Sequence, residues 1–216
     1  MYKKMSAWVI MIMFLLLLLA GCGSPSHEYI LGDVLLTESF NEAAAWETYL
    51  DDGIALQVVD GTYRVQTGDG GYIWGLNDEL HDDVVIEVTS SQLSAFEDNA
   101  YGVICRSDTS NNGDGYYFLI SGDGFYSIAK GEGDDVNPLV DWTTSSVING
   151  GQDSNTIRAV CIGDYLALYV NDKFLAETQD SDYTSGYAGF VATANAGGDT
   201  DISFDNLTIT AASLAD

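Results

Sequence analysis

The run Asp108-Thr109-Ser110-Asn111-Asn112-Gly113-Asp114-Gly115 sets oxygen-bearing side chains at alternate positions. Asp108, Ser110, Asn112 and Asp114 fall where a twelve-residue calcium loop carries ligands one, three, five and seven, with Gly113 at the sixth. Leu119 stands at the twelfth, where such a loop needs a bidentate Glu, and strand-like residues follow it. The segment is therefore no EF-hand. A looser calcium site on Asp108 and Asp114 is the metal expectation, against a polar hairpin loop as the default. No other cofactor is expected.

Paired carboxylates are the second chemistry to look for. Retaining glycoside hydrolysis needs two of them about 5 Å apart, and alternation in a strand puts every second residue on one face. Glu79-Leu80-His81-Asp82-Asp83 with Glu87 comes nearest, but its spacing is wrong. Glu79 to Asp83 reads as a loop ahead of a strand. No Ser/His/Asp arrangement or nucleophile elbow is recognisable, so no catalytic residue is assigned. Sugar binding is the third chemistry, because exposed aromatic faces beside acids and amides hold sugar rings. Trp74, Tyr117, Tyr126 and Trp142 are the candidate platform residues. Core burial is the alternative for Trp142, and more so for Trp46, which follows an alanine run.

The elements that must position these residues are strands. Val84-Val85-Ile86-Glu87-Val88-Thr89 alternates, placing Val84, Ile86 and Val88 on one face. Tyr116 to Ile120 and Phe125 to Ala129 flank Ser121-Gly122-Asp123-Gly124, a tight hairpin whose glycines supply positive φ. Tyr165 to Val170 turns at Asn171-Asp172 into Lys173 to Thr178. Tyr187 to Ala194 and Asp201 to Thr210 complete the chain. The apolar phase shifts there from Ile202/Phe204 to Leu207/Ile209, predicting a bulge at Asp205-Asn206. Only Glu42 to Trp46 looks locally helical, and it is too short to stand alone. Twelve to fourteen short strands imply an all-β antiparallel sandwich or barrel.

Ala7 to Ala20 is fourteen residues without a charge, preceded by Lys3 and Lys4. That is short of the roughly 20 apolar residues a spanning helix needs and right for a signal-peptide core. Leu19-Ala20-Gly21-Cys22 resembles the lipobox of bacterial lipoproteins. The resemblance implies removal of residues 1–21, lipidation of Cys22, and a place on the extracytoplasmic side of the cell envelope. Residues 22–33 then form a tether, in which His27 is solvated and idle, and residues 34–212 form one domain.

Losing Lys3 and Lys4 leaves five basic and 33 acidic residues, a formal charge of −28. Phosphate would be repelled, which excludes nucleic acid as a partner, and anionic lipid offers no charge-based adhesion. The membrane is reached through lipid alone. Cys105 and Cys161 lie in the β-rich runs VICR and RAVCIG. In an oxidising compartment a disulfide is favoured over two buried thiols, and no His or further Cys sits at metal-ligand spacing. Bridging 57 residues, counting both ends, gives roughly 4 kcal/mol of stabilisation from chain entropy.

Further short runs share an order: Asp60-Gly61-Thr62-Tyr63-Arg64-Val65, Asn99-Ala100-Tyr101-Gly102-Val103-Ile104-Cys105-Arg106, Tyr116-Tyr117-Phe118, Asp141-Trp142, Asn155-Thr156-Ile157-Arg158, Leu168-Tyr169-Val170-Asn171 and Phe204-Asp205-Asn206-Leu207. With Ser39-Phe40 and Trp46 at the entry, the chain from Glu38 onward resembles the concanavalin A-like lectin/glucanase superfamily. Within it, the chain is similar to the bacterial secreted branch of 3-keto-disaccharide hydrolase-like or family-16-like domains. The resemblance implies a jelly-roll sandwich of two sheets and no single activity. Family 16 glucanases supply their acids in a Glu-x-Asp-x-x-Glu pattern, which is missing here. The expectation is a non-catalytic carbohydrate-binding module for a glycan or envelope polysaccharide. The alternatives are a glycoside hydrolase of the 3-keto-disaccharide type and a structural or protein-interaction envelope domain.

Overall fold

The structure is a computed structural model. It describes residues 23–41, 46–51, 53–68, 70–108, 110, 112–133, 135–195 and 198–215. Cys22 and the alanine run 42–45 lie outside the described residues.

Among the described residues fifteen strands follow one another: β1 Tyr29–Glu38, β2 Tyr49–Asp51, β3 Ile54–Val59, β4 Thr62–Thr67, β5 Ile73–His81, β6 Val84–Gln92, β7 Asn99–Ser107, β8 Gly115–Ile120, β9 Phe125–Glu132, β10 Asp135–Thr144, β11 Ser154–Ile162, β12 Tyr165–Val170, β13 Lys173–Gln179, β14 Gly186–Ala194 and β15 Thr200–Leu214. They pair antiparallel into two sheets. The large sheet runs β13-β12-β11-β6-β15-β4-β3-β2, with β1 also on β15; the small sheet runs β10-β9-β8-β7-β14-β5. This is the two-sheet jelly-roll sandwich expected.

Alternation explains which residues meet between the sheets. Val84, Ile86 and Val88 of β6 and Leu166, Leu168 and Val170 of β12 point inward to Tyr101, Val103, Phe118 and Ile120 of the small sheet. Trp46 joins them as core, stacked on Phe190 at 4.9 Å. In β15 the register slips between Asp205 and Thr208, and Asn206 takes φ 54°. That bulge keeps Phe204 and Leu207 both buried. At the β12–β13 turn Asn171 and Asp172 both have positive φ, 51° and 61°, the pair a tight hairpin turn requires. At the β8–β9 hairpin only Gly124 supplies a positive φ, 86°.

Two expectations need correcting. Glu79 to His81 belong to β5 rather than to a loop; only Asp82 and Asp83 turn the chain into β6. The stretch read as tether also enters the fold, because β1 opens at Tyr29 and pairs with Leu214. His27 is not idle, since its ring meets Tyr165 edge-on at 4.9 Å.

Cys105 of β7 and Cys161 of β11 form a disulfide that ties the small sheet to the large one. The next residue, Arg106, is a bulge: two β7 residues stand between Ile104 and Ser107 where β14 has one. It holds φ 53°, a left-handed conformation that costs a non-glycine residue roughly 1 to 2 kcal/mol. Its buried guanidinium donates to the carbonyls of Asp82 at 3.1 Å, Gly163 at 2.7 Å and Tyr183 at 2.9 Å, and to the Asp83 carboxylate at 2.8 Å. Three connections thus converge on one side chain. Arg106→Met should lower stability by about 3 kcal/mol, because three carbonyls lose their donor. Removing the disulfide by Cys105→Ala with Cys161→Ala should cost about 2 to 5 kcal/mol. Urea midpoints under oxidising conditions check both.

Candidate functional site

The outer face of the small sheet is apolar where an antiparallel sheet would ordinarily turn polar toward water. Ile104, Tyr117, Leu119, Ala129, Val191 and Leu76 form a second cluster there, covered at its margin by Tyr72, Trp74, Val136 and Tyr187. Tyr117 is the centre of it. Its hydroxyl donates to the Gly113 carbonyl at 2.6 Å, and Tyr72 packs on its ring edge-on at 5.7 Å. Gly113 has φ +86°, and a Cβ there would lie 2.9 Å from the Trp74 ring. Burial raises the Tyr72 hydroxyl to about 12 and pushes Tyr117 up further, so both remain neutral hydrogen-bonding phenols.

Beyond Tyr72 lies a pocket of about 300 Å³. Trp142, Phe125 and Tyr72 give it aromatic walls, and Asp98, Asp123 and Asn195 give it polar groups. Trp142 is 41% exposed. It sits on edge strand β10, where the register breaks between Val140 and Thr143, and a bulge re-aims side chains. Phe125 opens β9, next to the hairpin that carries Asp123.

The floor is held by Asn99, the first residue of β7. Its Nδ2 donates to Gln92 Oε1 at 3.2 Å and to the Phe96 carbonyl at 2.9 Å, while its Oδ1 accepts from Gly122 N at 3.0 Å. One buried amide therefore fixes the loop before β7 against the β8–β9 hairpin. Asp98 accepts from the Asn195 amide and Asp123 from the Ser121 hydroxyl. Tyr72 also borders two further cavities. One of about 580 Å³ has Trp74, Tyr49 and Glu47 in its lining, and one of about 400 Å³ has Trp74, Tyr117 and Asp135.

The four sequence-predicted aromatics are thus divided. Trp142 faces the pocket. Trp74 shares its side of the sheet but borders the neighbouring cavities. Tyr117 is fully buried and serves as support rather than as a platform. Tyr126 packs toward the space between the sheets and donates to the Leu175 carbonyl at 3.3 Å. Phe125, Tyr72, Asp98, Asp123 and Asn195 were not legible as site residues. Alternation holds the signal for Phe125, since it must oppose its neighbour Tyr126.

The acidic loop folds on itself. Asp108 Oδ1 accepts from Ser110 N at 2.7 Å, and the Ser110 hydroxyl, together with that amide, holds the Asp108 carboxyl below its ordinary range. Asp114 accepts from Gly133 N at 2.6 Å and from the Asn112 amide at 3.1 Å. Among the described residues no cluster of three or more His, Cys, Asp or Glu is placed to hold a metal.

His81 is buried on β5. The Asn77 amide donates to its Nε2 at 3.0 Å, so the neutral ring carries its proton on Nδ1, which has no partner among the described residues. Burial lowers its pKa below 6.5. The unfolded chain then binds a proton that the folded one resists, so stability falls as pH drops below about 6.5 and is flat above it. In His81→Asn that loss should be absent. Urea midpoints from about pH 7 down to about pH 5 for both proteins test this.

Comparison with protein-family models finds no match, and comparison with curated proteins finds none. Solved structures do resemble the chain. The carbohydrate binding module CBM66 from Bacillus subtilis superposes with a TM-score of 0.63 at 17% identity, covering 77% of this chain and 96% of that one. A Bacillus subtilis protein with a galectin-like fold gives 0.63 at 12% identity, covering 86% and 99%. LamA_E269S from Z. galactanivorans, in complex with laminaritriose and laminaritetraose, gives 0.57 at 10% identity, covering 84% and 100%. At these identities the likeness defines the fold, a galectin-like or concanavalin-like sandwich.

Proposed function

We propose that this protein is a non-catalytic glycan-binding module, held at the extracytoplasmic face of a bacterial envelope by a lipidated Cys22. The observation that carries the reading is the pocket where an exposed Trp142 and Phe125 stand beside Asp98, Asp123 and Asn195. Aromatic faces take the apolar side of a sugar ring, and convergent carboxylates and amides take its hydroxyls. The shared fold with a carbohydrate binding module supports the same reading.

Among the described residues, the carboxyls that line the pocket are Asp98 and Asp123, and hydrolysis there would draw on them. Both are exposed and already accept bonds from Asn195 and Ser121. A glycosidase acid needs an apolar setting that keeps it protonated. Binding without turnover therefore fits these residues better.

Calorimetry against a panel of neutral polysaccharides and their oligomers tests the proposal. Trp142→Ala should weaken binding about tenfold or more, the worth of one lost aromatic contact. Tyr126→Phe, on the other face, should leave affinity unchanged. Absence of binding to every glycan in the panel would refute the reading, and release of reducing ends would move it to the hydrolase.

A further inference from the structure

We propose that β1 and the outer face of the large sheet beside it dock on the bilayer, so that the aromatic pocket faces away from the membrane. This rests on the lipid anchor proposed above. Residues 23–29 form no free tether. A Cβ on Gly23 would lie 3.7 Å from the Phe174 ring of β13. Ser26 N donates to Glu177 Oε2 at 2.9 Å, His27 packs on Tyr165 at 4.9 Å, and Tyr29 packs on Tyr169 at 6.4 Å. Phe174, Tyr165 and Tyr169 all belong to the apolar cluster on the outer face of the large sheet. The described chain therefore reaches this face at Gly23, the residue that follows the proposed lipidation site.

The surface next to it suits a lipid occupant. Ile30, Leu31, Val34 and Leu35 of β1 are 58%, 56%, 59% and 47% exposed. Among the described residues β1 pairs with β15 alone, leaving its other edge open. An open apolar edge is a liability in water, and such a strip a few residues from an acyl chain adds apolar contact to the anchor. Asp33 interrupts it and Glu28 and Glu38 flank it, so it fits a zwitterionic surface and not an anionic one. The pocket lies on the outer face of the small sheet, across the sandwich.

The test uses the full lipidated protein on phosphatidylcholine vesicles containing a bilayer-embedded quencher. An environment-sensitive fluorophore is attached at Leu31→Cys or, beside the pocket, at Thr143→Cys. The label at position 31 should be quenched at least about threefold more than that at 143. Equal quenching, or stronger quenching at 143, would overturn the docking. Mass spectrometry of the N-terminal peptide keeps the two claims separate. An acylated Cys22 with no preferential quenching refutes the docking alone, whereas an unmodified Cys22 refutes the anchor and the docking with it.

Discussion

A buried guanidinium sits where the two sheets are joined. Arg106 is almost fully enclosed, and its donors satisfy the turn between β5 and β6, the turn between β11 and β12, and the segment leading into β14. A buried charge is tolerated only when such partners surround it. Its residue also takes an unfavourable backbone conformation, the cost of the bulge that turns it inward. The neighbouring Cys105 links the same strand to the opposite sheet. Both devices act on the last residues of β7.

The pocket lies at the first residue of that strand. Asn99 opens β7 and binds both the loop before it and the β8–β9 hairpin. Register along β7 then sets what the loops can reach. A slip of one residue would reverse every side chain, sending Ile104 to the interior and Cys105 away from Cys161. The clamp at one end of the strand and the pocket at the other are thus mechanically connected through pairing. The loops can vary in chemistry while the strand beneath them is held.

Much of the fold was legible because alternation has a period of two and the turns carry distinctive residues. Val84 to Thr89, Tyr165 to Val170 and the phase shift at Asp205-Asn206 all read correctly for that reason. β1 was missed because its apolar residues are interrupted by Gly32-Asp33 and its register breaks on both sides of Val34. The site was less legible. In Tyr116 to Ile120 both faces are buried, so alternation could not say that Tyr117 is support and not surface. The pocket itself gathers Asp98, Asp123, Trp142 and Asn195 from four places in the chain, and only pairing brings these together. Arg106 gave no signal beyond its place after Cys105, since a buried arginine depends on carbonyls supplied by distant turns.

The proposed glycan site sets a sugar ring against Trp142 in the pocket at the start of β7. Amide and indole chemical shifts of the protein, recorded during titration with a neutral oligosaccharide that it binds, test this most directly. Binding at this site should give saturable shifts of the Trp142 indole N–H and of the Asn99 and Gly122 to Phe125 amides, with Trp46 and the β11–β13 amides unmoved. Shifts centred on the outer face of the large sheet, with the Trp142 indole unchanged, would contradict it.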